Sequence, residues 1–314
     1  MSPLPIARLL IVDDDPNNIR LLASIFDEEY DILFALSGQE AIDISLRERP
    51  DLIILDVMMP DLDGYAVCQA IKGHSLTKDI PIVFLTAHCD AEEEIRGLEM
   101  GAADYISKPF YPKIVKIRVS NQIELKYARE KLTKLAITDG LTGIANRRYF
   151  DDQLAHEWSR ARRLNQSLAI AMTDVDWFKK YNDHYGHQGG DDCLRQVANV
   201  LSNVAKRDSD FVARYGGEEF AVILPMTQTE NALALSKNIC VALSDLKLPH
   251  ALSEFGHVTL SIGVAIGHPK QNSAAEDLLL NADKALYTAK AQGRNQAVLF
   301  NELNEKVNEP LKPL

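Results

Sequence analysis

Asp13 and Asp14 follow the apolar run LLIV, Asp56 closes the run DLIILD, and Lys108 lies just beyond ADYI. Carboxylates that end neighbouring strands converge at the edge of an open α/β sheet where its reactive groups gather. At about 4 Å each pair would repel by about 1–4 kcal/mol, for effective dielectrics between water and a protein surface. A hard divalent cation removes that repulsion, and Mg2+ favours carboxylate, water and phosphate oxygens. Asp56 is then the candidate nucleophile. Its carboxylate can accept a phosphoryl group while the metal and Lys108 neutralise the developing charge, and Thr86, at the end of IPIVFLT, can hydrogen-bond the new phosphate.

A second set of groups lies further along the chain. Asp174 ends the apolar run SLAIAMTDV, and Gly216, Gly217, Glu218 and Glu219 sit between two further strand-like runs. Two glycines in a tight hairpin leave room above the turn for a bulky ligand. If the strands are neighbours, Asp174 and Glu218 can share Mg2+ ions that hold a triphosphate and activate a 3′-hydroxyl. Phosphates also need cations, and Lys179, Lys290 and Arg294 are available, the last two four residues apart near the C-terminal end of one helix. Asn182 and Asp191 can supply the amide and the carboxylate that read a guanine edge.

The elements that must hold these residues divide the chain in two. Its 314 residues exceed the usual size of one compact domain, and 46% hydrophobic with 25% charged residues is the balance of a globular protein. From Arg8 to Phe110, five short apolar runs (LLIV, YDILFAL, DLIILD, IPIVFLT and ADYI) alternate with helical patterns, which predicts a parallel sheet covered on both faces. Between Pro112 and Ala136 there is no glycine and no internal proline. Ile114, Ile117, Leu125, Ala128, Leu132 and Leu135 recur at steps near three and four, with Asn121 on the same stripe. That spacing suits one helix of about 37 Å with a dimer seam; the alternative is an amphipathic helix packed on its own domain. A second domain opens near Thr138, where strand-like runs interleave with helices in an order that resembles a βαββαβ core.

The formal charge of −11 argues against bulk nucleic-acid binding and leaves room for a local basic pocket. No apolar stretch reaches the roughly 20 residues a spanning helix needs, and MSPLPIARLLIV meets acidic Asp13 without a cleavage site, so a cytoplasmic protein with no membrane partner is expected. Cys68, Cys89, Cys193 and Cys240 are isolated, which predicts buried neutral thiols rather than disulfides or zinc. His184 and His187 flank Gly186 without a third ligand and read as loop residues.

LLIVDDDP, LIILDVMMPDLDG, IVFLTA and DYISKPF together resemble the response-regulator receiver family. The resemblance implies a flavodoxin-like doubly wound domain, with Asp56 as phosphoacceptor and Asp13, Asp14 and the Met58 backbone carbonyl on the metal. It also implies switch roles for Thr86 and Tyr105, Lys108 ahead of a cis Pro109, and a cognate histidine kinase as partner.

TDGLTGIANRRYFD, TDVDWFKKYNDHYGHQGGDDCL, RYGGEEF and ADKALYTAKAQGRN resemble the GGDEF family of diguanylate cyclases, of α+β ferredoxin-like fold. The resemblance implies metal binding (Mg2+, with Mn2+ as substitute) by Asp174, the Val175 carbonyl and Glu218. Guanine contacts fall to Asn182 and Asp191, and phosphate contacts to Lys179, Lys290 and Arg294. Glu219 lies near the second metal or the attacking hydroxyl. It further implies two GTP-loaded half-sites facing one another in a homodimer, cyclic di-GMP as product, and control by phosphorylation of Asp56 through dimer rearrangement. Arg207 and Asp210 resemble the RxxD product-inhibition site of this family, while Asn238 stands where a second arginine often sits. The expected layout is a receiver over 1–124, a helix over 112–137 continuing its last helix, the cyclase domain over 138–301, and a polar tail over 302–314. The alternative from another class is a catalytically silent nucleotide-binding module that docks to a partner.

Overall fold

The computed structural model describes residues 6–26, 29–86, 95, 97–270 and 273–301; Cys89 and the polar tail lie outside them. The chain divides into two compact units, Met1–Leu132 and Thr133–Leu314.

In the first unit the strands β1 (Arg8–Val12), β2 (Asp31–Ala35), β3 (Leu52–Asp56), β4 (Ile82–Thr86) and β5 (Asp104–Ser107) form one sheet in the order β2-β1-β3-β4-β5. All its pairings are parallel. Successive side chains along a strand point to opposite faces. Leu10, Val12, Ile53 and Leu55 therefore pack on α2 (Gly38–Glu48) and α3 (Gly64–Gly73). Leu9, Ile11, Ile54 and Leu85 pack on the other face against α1 (Pro16–Phe26) and α4 (Pro112–Ile137). Burial on both faces is why these strands are continuous apolar runs without polar alternation.

α4 carries two stripes. Val115, Val119 and Ile123 enter the receiver core, and Lys126 bonds Asp51 at the far end of the sheet. Ile114, Ile117, Leu125, Leu132 and Leu135, the seam expected from the sequence, are between 48% and 68% exposed. The helix thus packs on its own unit with residues other than the seam.

The second unit carries a mixed sheet in the order β10-β9-β6-β8-β7. Its strands are β6 (Leu168–Val175), β7 (Phe211–Gly216), β8 (Glu219–Pro225), β9 (Leu260–Gly267) and β10 (Ala297–Leu299). β6 is central, antiparallel to β8 and β9, and all eight of its residues are buried. α5 (Arg147–Leu164) and α8 (Ala275–Ala291) cover one face, while α6 (Phe178–Val204) and α7 (Thr229–Asp245) cover the other. His184 and His187, expected in a loop, lie inside α6 on either side of a kink at Gly186, whose φ is 76° and ψ 166°. Buried Phe178 and the stacked ring of Tyr181 hold that first turn to the core, and its polar composition had hidden the helix. Among the described residues, Cys68, Cys193 and Cys240 are buried free thiols; burial pushes Cys193 and Cys240 up to about 12.

Gly263 on β9 sets how closely α8 approaches the sheet: a Cβ there would lie 2.0 Å from Leu286 N and 2.1 Å from Ala282 O. Both are backbone atoms of α8, so the helix must retreat. Gly263→Ala is expected to destabilise the second unit by about 3 kcal/mol. Trp158 and Trp177, the two tryptophans of the chain, both lie in that unit, so urea unfolding followed by tryptophan fluorescence reads it directly. An unchanged midpoint would show that α8 accommodates the methyl.

Candidate functional site

In the first unit Asp13, Asp14 and Asp56 each bring a carboxylate oxygen within 4.8 Å of the others at the ends of β1 and β3. Asp13 and Asp56 are buried and Asp14 is exposed. Lys108 Nζ lies 3.0 Å from Asp13 Oδ2 and 2.6 Å from Asp56 Oδ2, and the Lys108–Pro109 peptide is cis. Burial pushes the Asp56 carboxyl up against the pull of Lys108. Burial also works against the Lys108 charge, but its bonds to Asp56 and Asp13 overcome this and raise its pKa. Three converging carboxylates with one ammonium leave an excess of negative charge and oxygen donors of the kind Mg2+ takes.

The rest of that pocket is held by the backbone. Met58 N donates to Asp56 Oδ1 at 3.3 Å, which places residue 58 beside that carboxylate, and Lys108 N donates to Thr86 O at 2.7 Å. Thr86 and Tyr105 line one cavity of about 260 Å³ with Tyr65, Phe84 and Phe110. Asn18 was not singled out from sequence, yet its Nδ2 lies 3.0 Å from both oxygens of Asp13 and fixes that carboxylate. An amide five residues after a strand-end acid, on the first turn of α1, was the available signal.

In the second unit the register of β6 and β8 sets Asp174 directly opposite Glu219, and Val175 N donates to Glu218 O at 3.3 Å. The β7–β8 turn therefore lies against the end of β6. Gly217 adopts φ 51°, a left-handed conformation that favours glycine, and Gly216 pairs with Glu219 across a bulge. Lys290 Nζ reaches Asp174 Oδ2 at 2.7 Å. Burial, with Glu218 and Glu219 adding to it, raises Asp174 to about 6, although Lys290 pulls it down.

On one side of the turn opens a cavity of about 480 Å³ lined by Lys179, Asn182, Asp191, Arg214, Gly217 and Glu218. Asn182 Oδ1 is buried there with no hydrogen-bond partner. Gly190 lies against that oxygen, which any Cβ at position 190 would approach to 1.8 Å. Buried acceptors are normally satisfied, so this lone oxygen leaves a cavity-lining residue with unused hydrogen-bonding capacity. Glu219 lines a separate cleft with Tyr215, Glu276 and Asp283. Arg294 is turned elsewhere, its guanidinium 4.8 Å from the centre of the Trp177 ring.

Asp139 and Arg214 were also missed by sequence reasoning. Arg214 donates to the Gly217 carbonyl at 2.9 Å and to both oxygens of Asp139 at 3.0 and 3.2 Å, which ties the turn to the 139–142 loop. Burial works to raise Asp139, but its bonds to Thr142 and Arg214 hold it below the usual carboxylate value. Both residues stood inside conspicuous motifs, and only their pairing was invisible. Arg207 and Asp210 form a tight turn in which Arg207 N donates to Asp210 Oδ2 at 3.2 Å, while Asp210 Oδ1 is buried without a partner. Asn238 is exposed on α7.

Residues 136–296 match the family model of the diguanylate cyclase GGDEF domain, and residues 9–120 that of the response regulator receiver domain. The chain belongs to the GGDEF family and carries a receiver domain ahead of the GGDEF domain. It is 35% identical over 300 residues to the response regulator PleD of Caulobacter vibrioides, an alignment that takes in 93% of this chain and 65% of PleD. It is 38% identical over 182 residues to DgcC of Escherichia coli, described as a probable diguanylate cyclase, covering 57% of this chain and 47% of DgcC. Among solved structures it resembles the coiled coil and GGDEF domain of DgcB from Caulobacter crescentus in complex with c-di-GMP. There the TM-score is 0.54 at 33% identity, over 60% of this chain and 97% of that one.

The raised Asp174 value carries a sign. The native state holds this proton more tightly than the unfolded chain, so ionising Asp174 costs stability as pH rises from about 4 through about 6. Without divalent metal, Asp174→Asn is expected to be more stable than the parent at pH 7.5, by up to about 3 kcal/mol. The gain should vanish below pH about 4. Urea unfolding at both pH values checks this, and a variant less stable at pH 7.5 would contradict the assignment.

Proposed function

We propose that this protein is a diguanylate cyclase governed by phosphorylation of its own receiver, condensing two GTP into cyclic di-GMP and two pyrophosphates. The observation that carries the reading is the gathering of Lys179, Asn182, Asp191 and Glu218 around one cavity, at a turn whose Glu219 pairs with Asp174. Guanine offers N1–H and N2–H2 donors to an acceptor pair such as Asn182 Oδ1 and Asp191. Adenine offers an acceptor at N1 and would leave such acceptors unpaired, the kind of mismatch that discriminates strongly. Membership of the GGDEF family supports the same base.

Asp174, Glu218 and the Val175 carbonyl would hold Mg2+ or Mn2+, which when bound lowers the pKa of the attacking hydroxyl and neutralises charge on the triphosphate. Lys179, Lys290 and Arg294 supply cations for the phosphates, and Lys290 leaves Asp174 for the triphosphate as the site loads. Glu219 would act near the second metal or the attacking hydroxyl. Each 3′-oxygen forms a bond to the other nucleotide's α-phosphorus as the α–β anhydride breaks and pyrophosphate departs. One half-site cannot complete this exchange, so the active species is a homodimer, and the exposed stripe of α4 is its seam. A histidine kinase phosphorylates Asp56, with Asp13, Asp14 and the Met58 carbonyl around the metal and Thr86 and Tyr105 relaying the change. The difference in stability between two dimer arrangements then sets activity. The protein acts in the cytoplasm, and its output is the nucleotide itself.

Full-length protein incubated with GTP and Mg2+ is expected to yield cyclic di-GMP, resolved by chromatography, at a rate that rises with beryllofluoride. Asp56→Asn should keep the basal rate and lose the rise. Unconverted GTP in both conditions would turn the reading to a silent binding module, and an Asp56→Asn protein that still responds would sink receiver control.

Arg207 and Asp210 form the product-inhibition site in this reading, with Arg207 as a planar fork for guanine and phosphate. Arg207→Ala should raise the inhibition constant for cyclic di-GMP at least about tenfold, the loss of one charged hydrogen-bonding contact. Unaltered inhibition would refute the site.

A further inference from the structure

Asp176 ends the segment after β6 and is 1% exposed. Its Oδ2 accepts from Thr259 Oγ1 at 2.7 Å and from Asn295 N at 3.1 Å, and its Oδ1 accepts from Ser261 Oγ at 2.6 Å. Thr259 and Ser261 belong to the segment that enters and begins β9, whereas Asn295 lies in the turn that leads from α8 to β10. One carboxylate thus ties three separate stretches of chain together.

The turn it holds is an unfavourable one. Arg294 and Asn295 both adopt left-handed backbone, with φ of 64° and 45°. Such conformations persist in non-glycine residues only where surrounding contacts over-determine them. The Asp176 bond to Asn295 N is one such contact. The stacking of Arg294 over Trp177, itself at φ 53°, is another, and Arg294 Nε lies 4.0 Å from Asp176 Oδ1.

Of the cations assigned to the triphosphate, Lys290 lies in the last turn of α8 just before this turn and Arg294 lies within it. Lys290 is bonded to Asp174, but a triphosphate must draw it away. At that moment the ion pair between the end of α8 and the end of β6 is broken; α8 stays packed on the sheet through Leu278, Ala282 and Leu286, and the turn beyond it is held through Asp176 and the Asn295 amide. We infer that Asp176 is a positioning residue for triphosphate binding: it fixes the turn after α8 so that Lys290 and Arg294 stay in register with the end of β6. This rests on the nucleotide reading above and extends it to a residue that touches neither nucleotide nor metal.

Asparagine at 176 keeps an oxygen towards Thr259 and Asn295 and turns its amide towards Ser261, whose hydroxyl can accept. Alanine removes all three bonds. The test measures binding of a non-cleavable GTP analogue with Mg2+, and of guanosine, to the full-length chain. Asp176→Ala should weaken the analogue about tenfold or more and leave guanosine within about threefold, because the base contacts lie on α6 (about 1.5–3 kcal/mol for a charged hydrogen bond lost). Asp176→Asn should restore the analogue to within about threefold of the parent. Hydrogen exchange across 290–296 should quicken in the alanine variant alone.

Equal weakening of analogue and guanosine would mean a general structural loss and overturn the inference, as would unchanged binding of both. If Asp176→Ala does not fold, Ser261→Ala, which removes one of the three bonds, must show the same selective loss at about threefold, or the inference fails. A parent that binds the analogue but makes no cyclic di-GMP overturns the cyclase reading and leaves the Asp176 comparison standing. A parent that binds no analogue overturns both.

Discussion

Like charges held close together are the constraint on which both units are built. Each gathers carboxylates at the end of a buried strand, where repulsion and lost hydration together make the arrangement costly. Each answers with one lysine brought from a distant part of the chain. Lys108 spans Asp13 and Asp56, and Lys290 sits on Asp174. Neither lysine balances its cluster, which leaves room for a divalent cation and gives a phosphate a cation to engage. Burial is the chief cause of the raised carboxyl values of Asp56 and Asp174, and the neighbouring carboxylates add to it.

Close backbone approach is what lets the lysines reach. In the second unit α8 must lie near enough to β9 for Lys290 to meet the end of β6, and Gly263 permits this by having no Cβ. Gly190 serves the same end against Asn182, whose unpartnered oxygen fits there only because position 190 has no Cβ. Hydrogen bonds that involve a charged side chain then hold the loops. Arg214 joins Asp139 to the Gly217 carbonyl, and Asn18 steadies Asp13. These contacts are directional and partly buried, which makes them stronger than exposed pairs.

α4 carries two apolar stripes. Three residues on one stripe are sealed into the receiver core, while the stripe from Ile114 to Leu135 remains exposed. A helix that buried only its own amphipathic face would leave the larger aliphatic residues inside, and here they are outside. That inversion is the physical basis for reading α4 as a seam.

The amino-acid sequence alone determined which residue types end which strands. Continuous apolar runs announced a sheet covered on both faces, and the placing of Asp13, Asp56, Asp174 and the glycine pair followed from where those runs stop. Hydrophobic periodicity is a local signal, and it was sufficient for the elements. It was insufficient where composition masks packing, as in the N-terminal part of α6, where polar residues around Gly186 read as a loop. Tertiary structure alone decided which distant groups meet: Arg214 with Asp139, Lys290 with Asp174, and Asp176 with Thr259, Ser261 and Asn295. Such pairings depend on strand register and on backbone approach at glycines, and both are set by the whole core at once, so no stretch of sequence contains them.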